Sequence, residues 1–203
     1  LFLDHANTRL DDEQRARYGA LGLQPHPFPS VGLLAPPRPG DANATPATGS
    51  RTAGVRPFFW TIAQFCEQGL LPFLFADAED ERQQYTIVVS SVTAQLQRIA
   101  RESDATDGAV RIGGRTCRTF SQLVDAIERQ VLPDDDDHAD PRWTGRAVGA
   151  GTINAFIRRL HAAVRHIEHL IRADIGGAVQ HSLDLTANQL TVVDIHQLHD
   201  RAK

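Results

Sequence analysis

Methionine is absent from the 203 residues, and lysine occurs once, at the final position, Lys203. The phosphate-binding loop of P-loop NTPases sets a lysine beside a glycine-rich turn, and this stretch of chain holds no such lysine. Cysteine is almost as scarce. Cys66 and Cys117 stand far apart with no CxxC pairing, which implies neither a disulfide framework nor a cysteine zinc site and makes a reducing cytosol the default compartment. No apolar run approaches the about 20 residues that span a bilayer, and the start has no signal-peptide pattern. A cytoplasmic location without a membrane partner is expected. Charge of one sign is lacking as well: 21 basic residues face 25 acidic ones, a net charge of -4, so any attraction to nucleic acid must come from a local patch. The chain opens in an apolar run and stops inside a helix-compatible segment, so it reads as an excerpt of a longer protein.

What is present is 41% hydrophobic, enough for a sizeable core, and is patterned mostly as amphipathic helices beside a few strand-like runs. Thr8-x-x-Asp11 resembles a capping box opening a helix through about Ala20, closed by Gly22. Six prolines from Pro25 to Pro39 exclude a helix there, while residues 30–35 (SVGLLA) suit one buried strand. Residues 40–54 are small, polar and aperiodic, which predicts a mobile loop. Thr61-x-x-Gln64 opens a helix with Ile62, Phe65 and Cys66 on one face, stopped by Gly69 and Pro72. Asp77, followed by Glu79, Asp80 and Glu81, caps a longer helix with a stripe through Tyr85, Val88, Val92, Leu96 and Ile99.

Gly113-Gly114 turns a small hairpin over residues 110–116. Thr119-x-x-Gln122 opens a helix that turns Phe120, Leu123, Val124 and Ile127 inward, and residues 133–151 read as a loop with four consecutive aspartates. The best helix covers residues 153–173: Ile153, Phe156, Ile157, Leu160, Val164, Ile167 and Ile171 share an arc of about 100° before Gly176 and Gly177 end it. A weaker strand is expected near residues 178–185. The closing strand, residues 190–194 (LTVVD), is rich in β-branched side chains and delivers Asp194 to the carboxyl edge, where α/β folds keep their ligands.

Arg158, His161, Arg165, His169 and Arg172 line one flank of the stripe on the best helix. If the chain touches nucleic acid, Arg158, Arg165 and Arg172 would meet the phosphates. The competing and commoner arrangement is a solvated flank, with Glu168 pairing with Arg165 and Arg172. His166 with His169, and His196 with His199, have the spacing that lets two imidazoles reach one metal, but such sites need further ligands, so no metal is expected. The aspartates at 134–137 lack calcium-loop geometry, since Ala139 stands where an EF-hand needs glycine and Gly145 where it needs glutamate. No nucleophile elbow surrounds Ser90, Ser91 or Ser121, and no catalytic residue is assigned.

Residues 190–203 (LTVVDIHQLHDRAK) resemble the strand, turn and helix segment of HerA-type bacterial and archaeal ATPases, relatives of the FtsK translocases. Residues 57–85 and 153–171 resemble the helical insertion of bacterial members. The resemblance implies an α/β fold, predominantly helical here: a partial RecA-like P-loop core carrying a helical-bundle insertion. Residues 1–56 would be core strands and a loop, 57–173 the insertion, and 174–203 the return to the core. The family's hexameric ring uses ATP with Mg to move duplex DNA, often beside a nuclease or another effector. This segment would be inactive alone, because both Walker motifs would lie outside it. Asp194 matches the acid on the strand before Walker B, where it would fix a turn by accepting backbone N–H bonds rather than act in catalysis. A non-enzymatic helical domain that binds a protein partner is the alternative.

Overall fold

The VGLLA run is the middle strand of a parallel sheet. The computed structural model describes residues 11–24, 30–49, 53–75, 83–103, 107–132, 140–146, 148–175 and 190–198. Its strands are β1 (Val31–Ala35), β2 (Val55–Pro57), β3 (Val110–Ile112), β4 (Arg115–Cys117) and β5 (Leu190–Val193). Its helices are α1 (Asp12–Ala20), α2 (Ile62–Glu67), α3 (Gln83–Glu102), α4 (Phe120–Val131), α5 (Pro141–Thr144) and α6 (Ala150–Ile167), with a 3-10 turn at Leu71–Phe75. The fold is therefore mixed α/β and mostly helical.

β1 pairs in parallel with β2 on one side (Leu33 opposite Val55) and with β5 on the other (Leu33 opposite Val192). Gly32 to Ala35 are all buried, as expected of a parallel strand covered on both faces. Between β2 and β5 the chain builds a helical body around α3, against which α2, α5 and α6 pack, with the antiparallel β3–β4 hairpin at its side. Phe65, Phe120, Phe156, Leu96, Leu123 and Leu160 are among its fully buried side chains, each stabilising the fold by about 1.5–3 kcal/mol through burial. Phe65 meets Phe120 edge-on at 5.6 Å, and Phe75 meets Tyr85 at 5.7 Å, the geometry that ring quadrupoles favour. Cys66 and Cys117 are both buried and free, and burial pushes the thiol of Cys66 up. Among the described residues no helix is long and apolar enough to cross a membrane.

Four local features differ from the sequence expectation. The cap of α1 is Asp11, whose carboxylate accepts from Gln14 N–H while Gln14 answers to Asp11 N–H; Thr8 lies outside the described residues. The expected loop over 133–151 contains α5 and the first two residues of α6. Asp140 caps Pro141 at the first helical position, and Trp143 drops into the core, so the cap and the burial together outweigh the short length.

The loop expected over 40–54 is hydrogen-bonded in its first part. Asp41 accepts from the N–H of Asn43 and Thr45, Arg38 N–H donates to Thr45 O, and Ala47 N–H donates to Pro36 O. Ala44 is buried there with a φ of 52°. Finally, the long helix stops at Ile167 instead of Ala173. Trp60 N–H donates to Leu170 O, Arg172 N–H to Trp60 O and Ala173 N–H to Arg118 O, so these backbone groups are satisfied across the fold rather than along a helix. The expected cap at Asp77, the strand near 178–185 and the aspartates at 134–137 lie outside the described residues.

Candidate functional site

β1 ends in Pro36 and Pro37, which have no N–H to extend the ladder, and the chain turns into Arg38 at the carboxyl edge of the sheet. β5 reaches the same edge. Asp194 N–H still donates to Leu34 O at 2.8 Å. The Asp194 carboxylate then accepts from His196 N–H at 3.0 Å and meets His196 Nδ1 at 2.5 Å, an Asx-type turn that reverses the chain. These bonds, the backbone N–H first, hold the Asp194 carboxyl below its ordinary range. Gln197 Nε2 lies 2.8 Å from His196 Nε2, and Leu198 is buried in the helical core and pins the end of the turn.

The last turn of α6 faces this edge across an open groove of about 630 Å³, lined by Arg38, Thr48, Arg165, His166, His169 and Gln197 among others. An adjoining cavity of about 260 Å³ shares Pro39, Arg165 and His169 with it and extends past Thr119 to Glu168, Arg172 and Asp174. Arg38 and Arg165 are exposed, while His166 and His169 are half-buried. Burial first, and then the nearby Arg172 charge, lower the basicity of His169. Two guanidinium groups and two imidazoles thus line one groove, beside the apolar Pro36, Pro37, Pro39, Ala47 and Leu198, in a chain that is acidic overall.

Of the three arginines named from the sequence, only Arg165 enters this groove. Arg158 is exposed on α6, seven residues earlier, and lines neither cavity. Arg172 lies past the helix end and is buried. Its Nε and one terminal nitrogen donate to the two Asp174 oxygens at 2.8 and 2.9 Å, and the other donates to Asp41 O at 2.8 Å. Arg172 therefore pairs with Asp174 rather than Glu168, and the backbone switch at Leu170 is what turns it inward. His166, on α6, and His169, past its end, both line the groove, whereas His199 lies outside the described residues.

The chain matches no protein-family model and no curated protein.

Arg38 is the groove residue that the sequence reading missed. Its signal was available: a cation directly after the two prolines that end a buried strand stands at the edge where α/β sheets hold ligands. Chemically the groove suits an anion, because guanidinium groups grip phosphate or carboxylate oxygens through paired donors. It does not suit the phosphates of a Mg-bound nucleotide. Such groups are cradled by a glycine-rich turn and a helix amino end, neither of which is among the residues lining this groove, and the only lysine is Lys203.

Proposed function

We propose that this chain is the part of a HerA-like, ATP-driven DNA translocase in which a helical insertion interrupts a RecA-like core. The observation that carries the reading is topological. β5, the LTVVD strand, returns across the helical body to pair in parallel with β1, so the helices are inserted between strands of one sheet. A parallel sheet with ligand groups at its carboxyl edge supports the same reading. In this arrangement Asp194 fixes the turn at that edge and performs no chemistry. Arg38 and Arg165 hold backbone phosphates of duplex DNA, with Arg158 extending the contact along α6. ATP and Mg are handled by the rest of the protein, which would act as a hexamer beside a nuclease or another effector in DNA processing or phage defence.

The test is made on the full-length protein. Duplex DNA is expected to stimulate its ATP hydrolysis, and the 203-residue chain by itself is expected to hydrolyse none. Charge reversal at Arg158 and Arg165 is expected to weaken DNA binding about tenfold or more and to flatten its salt dependence, since each lost phosphate contact removes released counterions. ATP hydrolysis by the isolated chain, or DNA affinity unchanged by the reversals, would overturn the reading.

A further inference from the structure

A second cluster of polar groups lies between α4 and α6, outside the groove. Asp125 and Glu128 stand at i and i+3 on α4, so both carboxylates share one face of that helix. His161 reaches them from α6. His161 Nε2 is 2.9 Å from Glu128 Oε2, and one ligand atom from each of the three residues lies within 4.8 Å of the others.

A Glu128–His161 pair would account for two of the three groups. Asp125 adds a third ligand atom on the same face of α4, within reach of both. The carriers are anchored: α4 is held by the buried Leu123, Val124 and Ile127, and α6 by the buried Phe156, Ile157 and Leu160. The three tips are half-buried or exposed, free to draw in by the fraction of their present spacing that first-row metals require, with carboxylate and imidazole ligands at about 2.0–2.2 Å.

The geometry points to a divalent transition-metal site formed by Asp125, Glu128 and His161, of the class that takes Zn²⁺. Two carboxylates and a neutral imidazole carry the charge that balances a divalent ion. The imidazole selects against calcium and magnesium, which prefer all-oxygen shells. Three protein ligands leave a fourth position for water, so the site is open rather than a closed structural one. Its place across α4 and α6 means that the ion would tie together two helices of the body.

The 203-residue chain, freed of metal, is titrated with Zn²⁺ by calorimetry and with Co²⁺ by visible absorption. One equivalent per chain is expected, with Co²⁺ bands of a low-coordinate O/N site. His161→Ala and the near-isosteric Glu128→Gln and Asp125→Asn are each expected to weaken binding at least about tenfold. Glu102→Gln, which removes an exposed carboxylate on α3, should leave binding unchanged. Far-ultraviolet circular dichroism confirms that the variants fold, and the two amide variants keep the test open should His161→Ala unfold. Absence of binding, or one-equivalent binding that survives all three substitutions, overturns the proposal.

Discussion

Arg172 illustrates how a residue's role is set by where its backbone goes. A guanidinium in water is a mobile phosphate ligand; with its side chain 8% exposed and three donors engaged, it is a structural tie between the Asp41 loop and the segment after α6. Removing it by Arg172→Ala is expected to cost about 2–3 kcal/mol, the range for charge-assisted buried bonds. Asp174→Ala is expected to cost at least as much, because it strands a buried charge. Arg172→Met, which removes the charge along with the need for a partner, should cost least of the three. Urea denaturation ranks them, and a reversed order would deny the tie. Asp194, by contrast, turns a single oxygen, Oδ1, to both the backbone N–H and the ring of His196, two residues ahead, which is local work that a sequence neighbour can perform.

At the level of elements, caps and stripes account for most of what forms. Thr61 and Thr119 each make the full reciprocal capping box that their spacing implies, and the stripes of α3 and α4 face the core as patterned. The join between α5 and α6 depends on something else. Gly145 has a φ of 81°, and a Cβ there would lie 2.4 Å from Ile87 Cγ2 on α3. Gly145→Ala is expected to destabilise the chain by about 2 kcal/mol or more, through both the left-handed backbone and the clash. In a double-mutant cycle with Ile87→Ala the clash is relieved while the backbone strain stays, so the measured coupling should be favourable but partial. Full additivity would mean that α3 is not what fixes this turn.

For the whole molecule, the helical body has its own core, and the sheet side joins it through Phe58 N–H to Ala35 O, the Arg172 guanidinium to Asp41 O and the buried Leu198. A polypeptide of residues 57–175 is therefore expected to fold alone, with helical circular dichroism and a cooperative thermal transition. A fragment that stays helical but melts without cooperativity would mean that sheet and helices share one inseparable core. Should the fragment fold, the division into a sheet and an inserted helical unit rests on stability as well as on chain order.

The sequence by itself determined the helices with strong stripes, the two threonine capping boxes, the glycine hairpin and the buried strand β1, because those depend on side-chain period and on groups three or four residues apart. Only the tertiary structure decided where α6 stops, which cation faces the groove and which is buried, and that Asp125, Glu128 and His161 come together. Each of those rests on partners far along the chain. Trp60 and Arg118 draw residues 170–173 out of the helix, Asp41 lies 131 residues from Arg172, and Glu128 lies 33 from His161. Periodicity carries no record of such pairings, since it reports which face of an element is apolar and not what that face will meet.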